Sequence, residues 1–121
     1  MIVAPGDAHM VGVRLADGGT AIRLSREPQA SGCTPSVDPM LSSLAAIHGE
    51  RLLAIVLSGM GRDGALGASA AHAAGGCVLA QDSTTSVIWG MPGAVVANGT
   101  ADAVLPPEAI GRIVASERRP H

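Results

Sequence analysis

At 121 residues, with a formal net charge of −2, 47% hydrophobic and 15% charged residues, the chain reads as one folded domain rather than a disordered segment. It carries no basic stripe, one Trp and no Tyr or Phe, which excludes the usual footprint of nucleic-acid binding. Its longest purely apolar run, residues 52–57, falls far short of the roughly 20 residues of a membrane span.

The N-terminus, MIVAPGDAHM, has no basic n-region and no long apolar stretch, so it does not read as a signal peptide. Residues 2–4 are expected to form a short strand that runs into a turn at Pro5-Gly6-Asp7. Residues 9–15 and 19–24 alternate around Ala16-Asp17-Gly18-Gly19, the pattern of a β-hairpin. Residues 25–35 are loop, rich in Ser, Gly and Pro. Ser36 is expected to cap a helix opened by Val37-Asp38-Pro39, with Met40, Leu41, Leu44, Ala45 and Ile47 on its apolar face and Gly49 at its end. Residues 83–90 suggest a helical turn, residues 92–97 a helix ending near Asn98-Gly99, and residues 103–105 a strand. Pro106-Pro107 opens a last helix to about Ser116, followed by a charged tail expected to fray. Cys33 and Cys77 lack C-x-x-C spacing and read as two buried thiols in a reducing, cytoplasmic compartment. The core must be built from Ala, Val, Leu and Ile, which bury less area each than aromatics.

The most informative segment is residues 52–82. An apolar run ends abruptly in Ser58-Gly59-Met60-Gly61-Arg62-Asp63-Gly64; an Ala-rich stretch follows, then Gly75-Gly76, then a second apolar run closing on Gln81-Asp82. That is strand, glycine turn, helix, turn and strand, one βαβ unit. Open α/β sheets place ligands at the carboxyl ends of such strands, so the chemistry is expected around Asp63. Three readings stay open on spacing alone. Asp63 caps the following helix; or Gly59, Gly61 and Gly64 with Asp82 form a dinucleotide fingerprint; or Asp63 is a catalytic carboxylate. The Arg62-Asp63 pair weighs against the second, because a carboxylate beside a pyrophosphate repels it.

Several stretches in order resemble one family. They are Ala4-Pro5-Gly6-Asp7 with His9-Met10, Pro35-Ser36-Val37-Asp38, residues 57–65, and Ala80-Gln81-Asp82 with Ser86 and Gly90-Met91-Pro92. Together, over residues 2 to about 113, the chain resembles the catalytic domain of the chemotaxis protein-glutamate methylesterases, the CheB type. The resemblance implies a doubly wound α/β sandwich, of which this chain holds part of the parallel sheet with an attached β-hairpin. It implies removal of methyl esters from glutamates on the cytoplasmic helices of chemoreceptors, with methanol released, and in many members deamidation of receptor glutamines. It implies a Ser-His-Asp triad, with Asp63 as the aspartate, Met60 and Gly61 beside the oxyanion side of the site, and His9 and Met91 as candidates for a substrate groove. No cofactor and no metal site are implied, and four scattered histidines at no ligand spacing suggest none. A receiver domain is an expected partner. This match leaves the nucleotide module as the lesser alternative.

The departures are specific. The family carries its nucleophile in a Ser-Thr-Gly-Gly turn and its base in a Gln-His pair; neither occurs in these residues, so residues 1–121 are expected to be a methylesterase domain without its Ser- and His-bearing segment or its receiver domain. A non-catalytic, degenerate member is the other alternative. Thr34 stands where the family commonly has Arg. No substitute triad suggests itself. Ser69 and His72 lie within a helix rather than on a nucleophile elbow, Ser58 reads as a turn residue, His48 as a helix C-terminal charge, and His121 as tail. Three expectations follow. Asp63 lies at the carboxyl end of the 52–57 strand, at or within one residue of the next helix's first turn. That strand is left uncovered on one edge, which invites self-association. The chain alone does not hydrolyse esters.

Overall fold

The alternation on either side of Gly18-Gly19 produces a hairpin of β1 (His9–Arg14) and β2 (Thr20–Ser25), antiparallel with His9 opposite Ser25 and Arg14 opposite Thr20. In this computed structural model, which describes residues 1–117, the turn closes by a Leu15 N–H donated to the Gly19 carbonyl at 2.8 Å. The hairpin lies on α1 (Val37–His48). Gly12 lets the two meet: its N–H donates to Ser43 Oγ at 2.8 Å, and a Cβ there would stand 2.7 Å from Leu44 Cδ2.

The βαβ unit forms as its pattern indicates, from β3 (Leu53–Val56), α2 (Ala65–Ala73) and β4 (Cys77–Gln81). Then come α3 (Met91–Ala97), β5 (Ala103–Leu105) and α4 (Pro107–Glu117). The three strands form a parallel sheet in the order β3-β4-β5, with Leu53 opposite Cys77 and Leu79 opposite Ala103. Central β4 is buried from Val78 to Gln81, as a strand covered on both faces must be. The core joins Leu41 and Ala45 of α1, Ala54 and Val56 of β3, Ala68 and Ala71 of α2, Val78 and Ala80 of β4, and Val95 of α3. Among the described residues β3 is an edge strand.

Four local expectations are corrected. Residues 2–4 form no strand; Ile2 and Val3 are 66% and 76% exposed, because no sheet edge among the described residues pairs with them. Residues 83–90 are turns rather than helix, because side chains take the backbone groups a helix would use. Asp82 Oδ1 accepts the Thr85 N–H at 3.0 Å, and Ser86 Oγ donates to the Asp82 carbonyl at 2.7 Å. Gly59 and Trp89 then pair as an isolated parallel bridge. Neither cysteine is buried: Cys33 is half-buried in a loop and Cys77 is exposed at the first position of β4. Ser36 occupies the N-cap position of α1, but its hydroxyl does not cap that helix. The tail and His121 lie outside the described residues.

Candidate active site

Asp63 sits in the turn between β3 and α2. Gly61 and Gly64 have φ of 92° and 98°, a left-handed backbone that glycine adopts without a Cβ penalty. Gly64 is the N-cap of α2, so Asp63 stands one residue before the cap and two before the first helical residue. It does not cap α2. Its carboxylate turns back to α1, where Oδ2 accepts the Val37 N–H at 2.8 Å. Oδ1 accepts the Ser36 hydroxyl at 2.7 Å and the Asp38 N–H at 3.3 Å. A buried carboxylate, 3% exposed, thus meets the positive end of α1 and satisfies donors that have no partner within the helix. The simple capping reading was right about the interaction and wrong about the helix.

The arrangement is reciprocal. Asp38, in the first turn of α1 and 7% exposed, accepts the N–H groups of Gly64 and Gly67, both at 2.9 Å and both on Oδ1. Each helix therefore receives its capping acceptor from the segment that opens the other. Sequence reasoning placed Asp38 in a helix start and a family motif but gave it no partner. The acid in the first turn was the available signal.

His9 is 1% exposed. Its Nδ1 accepts the Ser36 N–H at 2.9 Å, and its Nε2 lies 2.9 Å from the Glu27 carbonyl oxygen. These partners require the neutral Nε2–H tautomer. Nδ1 thus holds Ser36, the residue whose hydroxyl holds Asp63, and Nε2 ties the ring to the loop at Glu27; with the ring buried and both nitrogens taken, His9 does not line the expected substrate groove.

The outer side of the turn is built differently. Met60 is 77% exposed. Met91 is half-buried; its N–H donates to the Gly59 carbonyl at 2.9 Å, and its Sδ lies 2.7 Å from where a Gly59 Cβ would stand. Met91 and Gly61 therefore border the turn that carries Met60. Gln81, unremarked in the sequence beyond its place in a motif, ties the strand ends together. Its Oε1 accepts the Ser58 N–H at 2.7 Å, its Nε2 donates to the Thr85 carbonyl at 3.1 Å, and its own carbonyl accepts Trp89 Nε1–H at 2.7 Å. The Ser58 hydroxyl is engaged with both the N–H and the carbonyl of Ile88. An open cavity of about 560 Å³ lies beside the turn, lined by Asp38, Gly61, Arg62, Ala65, Leu66 and Asn98 among others.

This geometry removes the dinucleotide alternative. The Gly64 and Gly67 N–H groups, which would receive a pyrophosphate, are taken by the Asp38 carboxylate. Asp82, the residue expected to hold a ribose, is turned into its own loop by Thr85.

Residues 1–114 match the model of the CheB methylesterase family. The chain belongs to that family. CheB relatives cover nearly all of it. A Caulobacter vibrioides protein named protein-glutamate methylesterase/protein-glutamine glutaminase 2 is 49% identical over 97% of this chain and 34% of its own length. A Pyrococcus abyssi protein, named protein-glutamate methylesterase/protein-glutamine glutaminase, is 44% identical over 93% of this chain and 30% of its own. The crystal structure of the Thermotoga maritima CheB methylesterase catalytic domain superposes with a TM-score of 0.87 at 36% identity, covering 92% of this chain and 58% of that one. The α/β fold, with its parallel sheet and attached hairpin, is therefore the CheB catalytic fold over the matched part. The chain spans about a third of the length of these curated relatives.

Proposed function

We propose that this chain supplies the aspartate-bearing part of a CheB-type hydrolase that cleaves glutamate methyl esters, and deamidates glutamines, on the cytoplasmic helices of chemoreceptors. The observation that carries the reading is the Asp63 carboxylate, in a chain of this family, buried in the turn between β3 and α2 and held by three donors of one helix start.

A carboxylate offers about four acceptor positions. Ser36, Val37 and Asp38 use three, two of them on Oδ1, so Oδ2 keeps a lone pair for an imidazole N–H. A histidine held there would have its tautomer fixed, and the cation formed when it takes the nucleophile's proton would be stabilised. The serine oxygen would add to the ester carbonyl, the imidazolium would return its proton to the leaving methoxide, and water would hydrolyse the acyl-enzyme by the same relay. Met60 and Gly61 would border the developing oxyanion, and Met91, behind Gly59, would line the substrate side. His9, buried, would act on Asp63 through Ser36, whose N–H its Nδ1 accepts. The serine and the base would come from a segment outside these 121 residues; a receiver domain and a cytoplasmic setting belong to the same reading. The uncovered edge of β3 would pair with another segment or with a second copy.

The test is methanol release from a methylated receptor fragment. The chain alone is expected to release none. The chain with a Ser- and His-bearing segment restored upstream is expected to turn over, and Asp63→Asn in that background to lose on the order of 10⁴ in kcat. A restored protein without activity would instead support a non-catalytic member. Activity of the chain alone, abolished by Asp63→Ala, would overturn the division of the triad.

A further inference from the structure

We propose that Asp38 is a positioning residue that sets the direction of the Asp63 carboxylate; its effect on rate rests on the reading of Asp63 as the triad aspartate. Asp38 is a buried acid that the relay itself does not use. Its Oδ1 alone holds the N–H groups of Gly64, next after Asp63, and of Gly67 in the first turn of α2. Asp63 in turn holds the N–H groups of Val37 and of Asp38 itself. The two carboxylates close a loop of hydrogen bonds across the α1–α2 contact, so neither side chain can turn without releasing donors of the other helix.

Gly67 shows how closely the helices are drawn together for this. A Cβ at Gly67 would stand 2.7 Å from Leu41 Cβ and 3.1 Å from both the Cα and the carbonyl oxygen of Asp38. At Gly64 the constraint is conformational, φ 98°, in the left-handed region. Two glycines thus permit the approach, and one carboxylate oxygen locks it.

Amide exchange of the chain, followed by NMR in Asp38→Ala and Asp38→Asn, tests this without relying on activity. Asp38→Ala is expected to speed exchange at Gly64 and Gly67 by about tenfold or more, the loss of a hydrogen bond to a charged acceptor. The decisive amide is Val37, which bonds to Asp63 and not to Asp38. It is expected to speed by a comparable factor, while Ala80 in central β4 stays protected. Asp38→Asn keeps an oxygen where Oδ1 stands and is expected to restore Val37. If Val37 stays protected in Asp38→Ala, Asp38 caps α2 only and the inference fails. It fails equally if Ala80 loosens as much as Val37, or if Asp38→Asn does not restore Val37. In the restored enzyme, Asp38→Ala is expected to lower kcat about tenfold with KM unchanged. If Asp63→Asn leaves kcat intact there, the triad reading of Asp63 falls, while the Val37 exchange still decides Asp38.

Discussion

The inner and outer sides of the turn after β3 are finished to different degrees. On the inner side, Asp63, Asp38, Ser36 and His9 are buried, and each finds its hydrogen-bond partners within the chain. On the outer side, Leu57, Met60, Val87, Ile88 and Trp89 are exposed, from 38% at Trp89 to 94% at Val87. The polar groups of this inner side are satisfied within the chain, where an unsatisfied buried group costs most. The apolar side chains of the outer side are left exposed, where they leave no buried polar side-chain atom among the described residues without a partner.

Removing the inner carboxylate should have the largest effect. Asp63→Ala strands a hydroxyl and two backbone N–H groups at the start of α1. Denaturant unfolding is expected to show a loss of about 3 kcal/mol or more; a loss under 1 kcal/mol would mean that water replaces the carboxylate freely and that the two sides do not differ. Gly67→Ala comes next. Its new Cβ meets Leu41 and the Asp38 backbone, which cannot retreat. Overpacking of about 1–3 kcal/mol, offset by about 1 kcal/mol of helix propensity, leaves a net loss of up to about 2 kcal/mol by thermal unfolding. A gain in stability would disprove the close approach. Ser36→Ala removes one donor to Asp63 and is expected to cost about 1 kcal/mol, with the Val37 amide still protected; loss of that protection would make Ser36, not the backbone, the main hold on Asp63.

The smallest effect is expected on the outer side. Leu57, 51% exposed just beyond β3, tolerates a charge, so Leu57→Lys should shift stability by less than about 0.5 kcal/mol. Where copies of the chain pair along β3, the charge one residue beyond that strand should weaken the pairing in light scattering. A cost of 2 kcal/mol would show that the outer side is packed after all.

Local pattern determined much of this protein. The hairpin follows from alternation around Gly18-Gly19, and the βαβ unit from an apolar run broken by glycines. The helix from Val37 begins at its Ser-x-Asp-Pro start, and the ordered motifs carried the family, which the matched domain bears out. These features depend on residues a few positions apart, where backbone geometry and side-chain periodicity act directly. What the tertiary structure decided lies at long separation. Asp63 was legible as the residue to watch, but its carboxylate binds donors 25 to 27 residues away, so no local rule could say which helix it caps. Asp38 was a helix-start acid until α2 was brought against α1 and its Oδ1 met Gly64 and Gly67. Residues 2–4 had the composition of a strand but pair with no strand among the described residues, and residues 83–90 gave their backbone groups to Asp82, Gln81 and Ser58. A strand, a cap and a buried acid are each defined by a partner, and the partner's position is set by packing.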